Sequence, residues 1–344
     1  MSINLDNVTN IMLGNTPVEQ IADSLGNVLW SAAPAPEYFY VEDTSGNTNT
    51  LSIVKSNTNA PTIEVFASTD TVNWSSMGIT SSTAITATIP ANGKLYLKAN
   101  ADVWGGENNY NNITASGNHN VGGNIMSLIY GDNYGGQTEF PENTGGNFGN
   151  LFRYNNYLIS AEALILPVTT LPSMAYIAMF ANCTALTTAP ATLPATTIGF
   201  YSCAGMFSGC SSLTAAPEMS AITVGAAGCT GMFERCTALT TAPTSLGTTF
   251  ESWGYSHLFE NCTSLTTAPE LPATTLVEGC YAWMFKGCPH IDRVVSYAQN
   301  TYPGAMTEWL SGASATGDFY NLGGATYSRD ENGIPSGWTE HTSL

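Results

Sequence analysis

The sequence predicts a mainly β chain with short helices, in which small N-terminal β modules precede a capped solenoid of about 26-residue coils. Three observations predict it. A motif of Phe, Cys, Leu and Ala-Pro recurs at a fixed step through residues 151–292. Apolar and polar residues alternate in short runs between residues 38 and 100. Finally, 43% of the 344 residues are hydrophobic and only 10% charged. Thr, Asn, Ser and Gly replace the missing charge, so the chain can bury a core.

Residues 1–30 contain INLDNVTNIMLGNTPVEQIADSLGNVLW, which reads as three short strands around Gly14-Asn15 and Gly26-Asn27, an attachment-sized β module. Residues 31–37, SAAPAPE, read as a Pro/Ala linker. Residues 38–120 hold TLSIV, TIEVFAS, AITATI and KLYLKA between Asn-rich turns, a small sandwich or barrel with Phe66 and Trp74 as expected core aromatics. Residues 121–150 are rich in Gly and Asn and are expected to cap the coils.

The coils follow. Phe180, Phe207, Phe233, Phe259 and Phe285 step by 27, 26, 26 and 26 residues. Cys183, Cys210, Cys236, Cys262 and Cys288 keep the same steps, as do Leu186, Leu213, Leu239 and Leu265, with Ile291 in the last copy. A degenerate copy precedes them, with Phe152, then Asn155 in the cysteine slot. One such unit cannot bury its own apolar face, so the copies are expected to stack Phe on Phe. F-x-x-C-x-x-L puts three apolar residues on one face of a helical turn. The following Ala-Pro ends any helix, and LPATT favours extended chain. Each coil therefore reads as a short helix or turn plus a short strand, a leucine-rich-repeat-like arrangement. After Ile291 the period stops, and residues 293–344 are expected to form a C-terminal cap, with DRVVSYAQN and MTEWLSGA as helices.

The repeat MF-x-x-C-T-x-L-T-x-A-P followed by LPATTL resembles the BspA-like leucine-rich repeats, which occur in surface proteins of gut bacteria and in virion proteins of phages that infect Bacteroides-type hosts. GNIMSLIYGD at Gly123 and NGIPSGW at Asn332 resemble segments bordering such repeats. NIMLGNTPVEQIADSLGNVLW is similar to N-terminal modules of phage tail and fibre proteins, and STDTVNWSS at Ser68 to small β modules between them. The resemblance implies surface display and adhesion, and supplies no catalytic residue.

Charge removes several functions. Eight Lys and Arg stand against 26 Asp and Glu, a net charge of −18. That leaves no basic groove for phosphates and no affinity for an anionic membrane surface. No run of about 20 apolar residues exists to span a bilayer. The first basic residue is Lys55, so no signal peptide is expected, and the chain is expected to be made in a host cytoplasm.

No catalytic, cofactor or metal site is expected. The cysteines lack C-x-x-C spacing, and Cys203, Cys229 and Cys280 accompany the five of the ladder. Tyr176, Cys203, Cys229, Tyr255 and Tyr281 share the slot three residues before each Met or Leu258, which argues for packing. Reduced, buried thiols are the expected state, ahead of disulfides and metal. GDNYGG at Gly131 and DENG at Asp330 carry oxygen donors that suit calcium, but plain turns are the commoner use of such residues. Asn112, Asn182 and Asn261 match glycosylation acceptors. His119, His257, His290 and His341 share no motif. No charge occurs between Glu162 and Glu218, so threonines there either fill outward strand positions or offer hydroxyls to glycans. Glu251, Trp253 and Tyr255 interrupt the fourth copy, where others carry small residues, and are the candidate binding spot.

The expected function is that of a bacteriophage virion structural protein, a tail or head fibre component displaying its repeats for host attachment. Its expected location is the virion. Expected partners are other virion proteins through the N-terminal module, a host glycan or protein, and copies of itself, as a trimer. A bacterial surface adhesin is the alternative. A glycan-cleaving enzyme is the alternative of another class, but the repeats carry no paired acids in register.

Overall fold

The computed structural model describes residues 37–105, 108–141 and 147–344, together with the backbone of four short strands before residue 37. The chain is mainly β. It divides into two units, Met1–Glu37 and Tyr38–Leu344.

In the first unit, β1 (Met12–Leu13) pairs antiparallel with β2 (Thr16–Pro17), and β3 (Gln20–Ala22) with β4 (Val28–Ser31). There are thus two hairpins rather than three strands. β2 ends at Pro17, which carries no N–H to continue a ladder. Ser31 belongs to β4, and the rest of the expected linker up to residue 36 lies outside the described residues.

The second unit begins with a sandwich of β5 (Tyr40–Asp43), β6 (Asn49–Lys55), β7 (Glu64–Ser68), β8 (Ser75–Ile79), β9 (Ile85–Ile89), β10 (Lys94–Ala99), β11 (Asn111–Ala115) and β12 (His119–Asn124). A six-stranded sheet has the order β13-β12-β5-β10-β7-β8, where β13 is Leu158–Ile165. A three-stranded sheet has the order β11-β6-β9. Burial alternates along β6, β10 and β11, as the period-2 pattern requires. Phe39, Val41, Leu51, Ile53, Val65, Leu97 and Trp104 are fully buried. The Trp104 indole N–H donates to the Asn111 carbonyl at 3.0 Å. Phe66 and Trp74 are half-buried, not core. Val65 and Ala67 point inward, so Phe66 between them points out. Trp74 ends a turn whose Asp70 carboxylate accepts the N–H groups of Val72 and Asn73.

The boundary expected at residue 120 is absent. Val121–Asn124 continue β12, which pairs in parallel with β13 of the degenerate copy. Beyond β12 come α1 (Ser127–Tyr130) and a 3-10 turn, Gly131–Asn133. Asn155, in the cysteine slot, donates to the Ile113 carbonyl at 3.2 Å and to His119 Nε2 at 3.1 Å. The Asn112 amide donates to the carbonyls of Asn150, Leu151 and Arg153. Sandwich and repeats therefore share one sheet and one core.

Successive repeat copies stack. The rings of Phe152, Phe180, Phe207, Phe233, Phe259 and Phe285 lie 5.1–5.7 Å apart between centroids, all fully buried. From Phe180 onward their planes agree within 6°. Each ladder thiol donates to the carbonyl of the phenylalanine in the preceding copy, from Cys183 to Phe152 through Cys288 to Phe259, at 3.0–3.1 Å. Two-residue strands join neighbouring copies in parallel: β14 (Thr170–Leu171), β16 (Thr197–Ile198), β18 (Thr223–Val224) and β19 (Thr249–Phe250) form one ladder, and β15 (Thr192–Leu193) and β17 (Glu218–Met219) another. In the four-stranded ladder each Thr faces out and each apolar partner faces in.

The F-x-x-C segments are turns, not helices. N–H groups of Tyr176, Ala178, Phe180 and Asn182 donate to Ser202, Ala204, Met206 and Ser208 of the next copy. Those of Met179, Ala181 and Cys183 turn back three residues within their own copy. Every fourth residue carries a left-handed φ of 50–75°: Ala227, Gly231 and Arg235 in one copy, Trp253, His257 and Asn261 in the next, Gly279, Trp283 and Gly287 after that. A left-handed residue at this interval prevents an α-helix from propagating.

The stacking also runs past Ile291. Phe285 N–H donates to the Trp309 carbonyl at 2.8 Å, and φ is positive at Gly304, Glu308 and Gly312. Trp309-Leu310 thus stands where other copies have Met-Phe, and Ala313 stands in the cysteine slot. Both expected C-terminal helices are absent: Arg293–Ser296 is strand β20, with β-branched Val294 and Val295, and the MTEWLSGA segment is this further turn run. β20 pairs in parallel with β21 (Gly317–Asn321), and β21 with β22 (Trp338–His341), beyond the last copy.

Phe233→Ala removes a middle ring of the column and should lower the unfolding free energy by about 3–5 kcal/mol, read by chemical denaturation. At Ala227 (φ 51°) the backbone is the cost. Ala227→Gly should leave stability unchanged or raise it by up to about 1 kcal/mol, whereas Ala227→Val should lower it by about 1–2 kcal/mol in the same measurement.

Candidate binding face

Along each turn run the left-handed slots recur every fourth residue; those of Tyr201, Trp253, His257 and Trp283 are at least partly exposed, and the positions midway between slots are buried. One slot column carries Tyr201, Ala227, Trp253 and Gly279; the next carries Gly205, Gly231, His257 and Trp283. Four of these eight are Gly or Ala; Tyr201 stands in an earlier copy, and Trp253, His257 and Trp283 adjoin one another. Trp253 is 37% exposed and stacks on Trp283 at 6.1 Å and 14°. His257 stacks on Trp283 at 4.6 Å and 18°. The His257 Nδ1 also pairs with the Glu260 carboxylate. Gly279 makes room for this cluster, since a Cβ there would sit 2.3 Å from the Trp253 ring. Below it, Lys286 and Glu308 pair at 2.6 Å. Phe200 and Tyr201, 46% and 37% exposed, meet edge to face at 4.5 Å in an earlier copy.

The three residues singled out in the sequence do not form one spot. Glu251 is exposed and accepts the Ala226 N–H at 3.0 Å. Trp253 faces out. Tyr255 is fully buried, stacks on Tyr281 at 6.4 Å, and its hydroxyl accepts the Gly247 N–H at 2.8 Å. Burial pushes its phenol well above the usual range. Tyr255 lies two positions after Trp253, midway between the slots of Trp253 and His257, and this half-interval puts it on the opposite side. Trp283 and His257 take the place of Tyr255 in the outward cluster. Their common slot, 26 residues apart, marks them in the aligned copies.

The other groups are committed elsewhere. All eight cysteines are free and buried. Burial pushes the thiols of Cys183, Cys236 and Cys288 up to about 12, so they stay protonated and serve as donors, not nucleophiles. Asp132 in GDNYGG binds Lys98 and the Tyr38 hydroxyl, each at 2.7 Å. Asp330 in DENG accepts the Ser328 hydroxyl and the Asn332 N–H. Among the described residues no three His, Cys, Asp or Glu side chains gather as a metal group. No described helix is long and apolar enough to cross a membrane. Hydroxyls of Thr187 and Thr240 donate to carbonyls of the preceding copy at 3.0 and 3.1 Å, so that column holds the stack together.

No known protein family matches the chain, and neither a curated protein nor a solved structure matches it.

His119 offers a pH test of the sandwich–repeat junction. Its ring is fully buried, with Nδ1 on the Gly117 carbonyl at 2.8 Å and Nε2 facing the Asn155 amide. Burial lowers its pKa, outweighing the Gly117 carbonyl and Asp43, which favour the charged form. The unfolded chain therefore takes up a proton that the folded chain refuses. The junction's full stability should hold above about pH 6.5 and fall as pH drops towards the lowered folded pKa. His119→Asn should flatten the denaturation midpoint between about pH 7 and pH 5.5 relative to the parent chain.

Proposed function

We propose that the protein is a structural component of a bacteriophage virion, a tail or head fibre element that attaches to host cells. In this reading the stack is a capped, leucine-rich-repeat-like solenoid of the BspA-like kind. The sandwich closes its N-terminal end and β20–β22 its C-terminal end. The N-terminal unit docks on the particle, and the chain assembles as a homo-oligomer, a trimer. Repeated copies on one particle would convert weak contacts into avidity.

One observation carries this reading. The interior is spent on stacking: phenylalanine, cysteine and leucine columns are buried, and the ladder thiols are held as donors. What varies from copy to copy is the outward slot column, where Trp253, His257 and Trp283 replace small residues. A buried invariant scaffold with a variable outer face suits display and not catalysis, and no enzymatic activity is proposed.

The test has two parts. Purified virions should contain the chain, traceable in the fibre by electron cryomicroscopy. Recovery of the chain in the bacterial surface fraction, and not in particles, would favour the adhesin reading. Trp253→Ala with Trp283→Ala should lower adsorption to host cells by about tenfold or more while leaving the melting temperature of the isolated chain near that of the parent.

A further inference from the structure

A second aromatic group, half-buried, lies away from the repeats, on the outer face of the six-stranded sheet. Phe66 of β7, Trp74 before β8 and Tyr130 of α1 line a cleft of about 420 Å³ together with Lys98, Asp132 and Asn133. That volume falls within the range of small-molecule sites. The residues that make it come from two strands, β7 and β10, the turn before β8, α1 and the 3-10 turn that follows it. Gly131 (φ 54°) carries that last turn past the Ala99 carbonyl, where a Cβ would come within 3.4 Å.

The polar groups are fixed before any ligand arrives. Lys98 Nζ donates to both oxygens of Asp132, at 2.7 and 2.9 Å, and the Tyr38 hydroxyl donates to Oδ1 at 2.7 Å. The ammonium sits 4.3 Å from the Trp74 ring centre, which holds it from below. Lys98 is therefore 15% exposed, whereas the Asp132 side chain stays 63% exposed. A carboxylate has about four acceptor sites, so Asp132 keeps acceptor capacity on its open side. These bonds hold its carboxyl below the usual range, so it is ionised at neutral pH.

Lys98 offsets the charge of Asp132 from beneath, and the more exposed carboxylate disfavours an anion. The cleft offers aromatic surface for an apolar C–H face, a fixed acceptor for vicinal hydroxyls, and an amide at Asn133 that both donates and accepts. We propose that this cleft binds one neutral pyranose unit of a glycan. The site is separate from the repeat face and does not depend on it.

The test uses the full chain and neutral methyl pyranosides of glucose, galactose, mannose and N-acetylglucosamine, with methyl glucuronide as the charged comparison. Saturation-transfer NMR should show binding of at least one neutral glycoside. Trp74→Ala and Asp132→Asn should each weaken it by about tenfold or more, the loss expected for a hydrogen bond to a charged group or an aromatic anchor. Trp283→Ala should leave it unchanged. Asp132→Asn retains a side-chain acceptor for Tyr38 and Lys98, so it decides the matter alone should Trp74→Ala fail to fold. Three results would overturn the proposal: no transfer from any neutral glycoside, preference for the glucuronide, or binding lost in Trp283→Ala but kept in Asp132→Asn. The last would move the sugar to the repeat face, and none of the three bears on whether the chain belongs to a virion.

Discussion

The backbone hydrogen bond from one copy to the next is the constraint on which the repeat region is built. In a helix the N–H of Phe207 would stay within its own turn; here it reaches the Met232 carbonyl, 2.8 Å away in the following copy. Each copy therefore lacks a complete hydrogen-bond set of its own and is satisfied only by neighbours on both sides. The ring column and the thiol column follow from the same spacing. Once the backbones are tied, equivalent side chains sit above one another at ring-stacking distance. The thiol finds a second lone pair on the phenylalanine carbonyl of the preceding copy.

An array tied this way has two open ends, and the two flanking regions deal with them differently. At the N-terminal end the sandwich shares its sheet through β12 and β13, and Asn155 replaces a thiol so that a longer amide can reach across to Ile113 and His119. At the C-terminal end a shortened copy comes first. Trp309 lies 6.5 Å from Phe285 and meets Phe319 edge to face, ending the run of parallel rings. β20–β22 lie beyond it.

The spacing of Phe, Cys and Leu was legible because side chains in a column must be chemically alike. The path of the backbone was not. A three-residue interval fits one face of a helix, and nothing in F-x-x-C-x-x-L says that alternate N–H groups leave the coil. Glycines misled twice. Gly122 reads as loop, yet it is a strand residue packed against Tyr40, where a Cβ would meet the ring at 2.4 Å. Gly304 and Gly312 keep the eight-residue interval of Gly279 and Gly287, but the Met-Phe and Cys signals around them are replaced. Of the candidate site, Trp253 was legible as an intrusion of bulk. Tyr255 was misplaced because the four-residue interval of the turn run is a property of its backbone. The sandwich cleft was hidden by the same problem: Phe66 and Trp74 look like core residues until the pleat direction is known.

The left-handed slots have a consequence for how such a surface can change. Its outward positions are those where glycine is the relaxed choice, so every larger side chain installed there works against local conformational preference. Novel recognition chemistry and fold robustness are thus coupled at single residues. Lineages of this architecture would be expected to concentrate ornament in one or two neighbouring copies, as at Trp253, His257 and Trp283, and to leave a plain copy such as the one bearing Ala227 and Gly231 alongside.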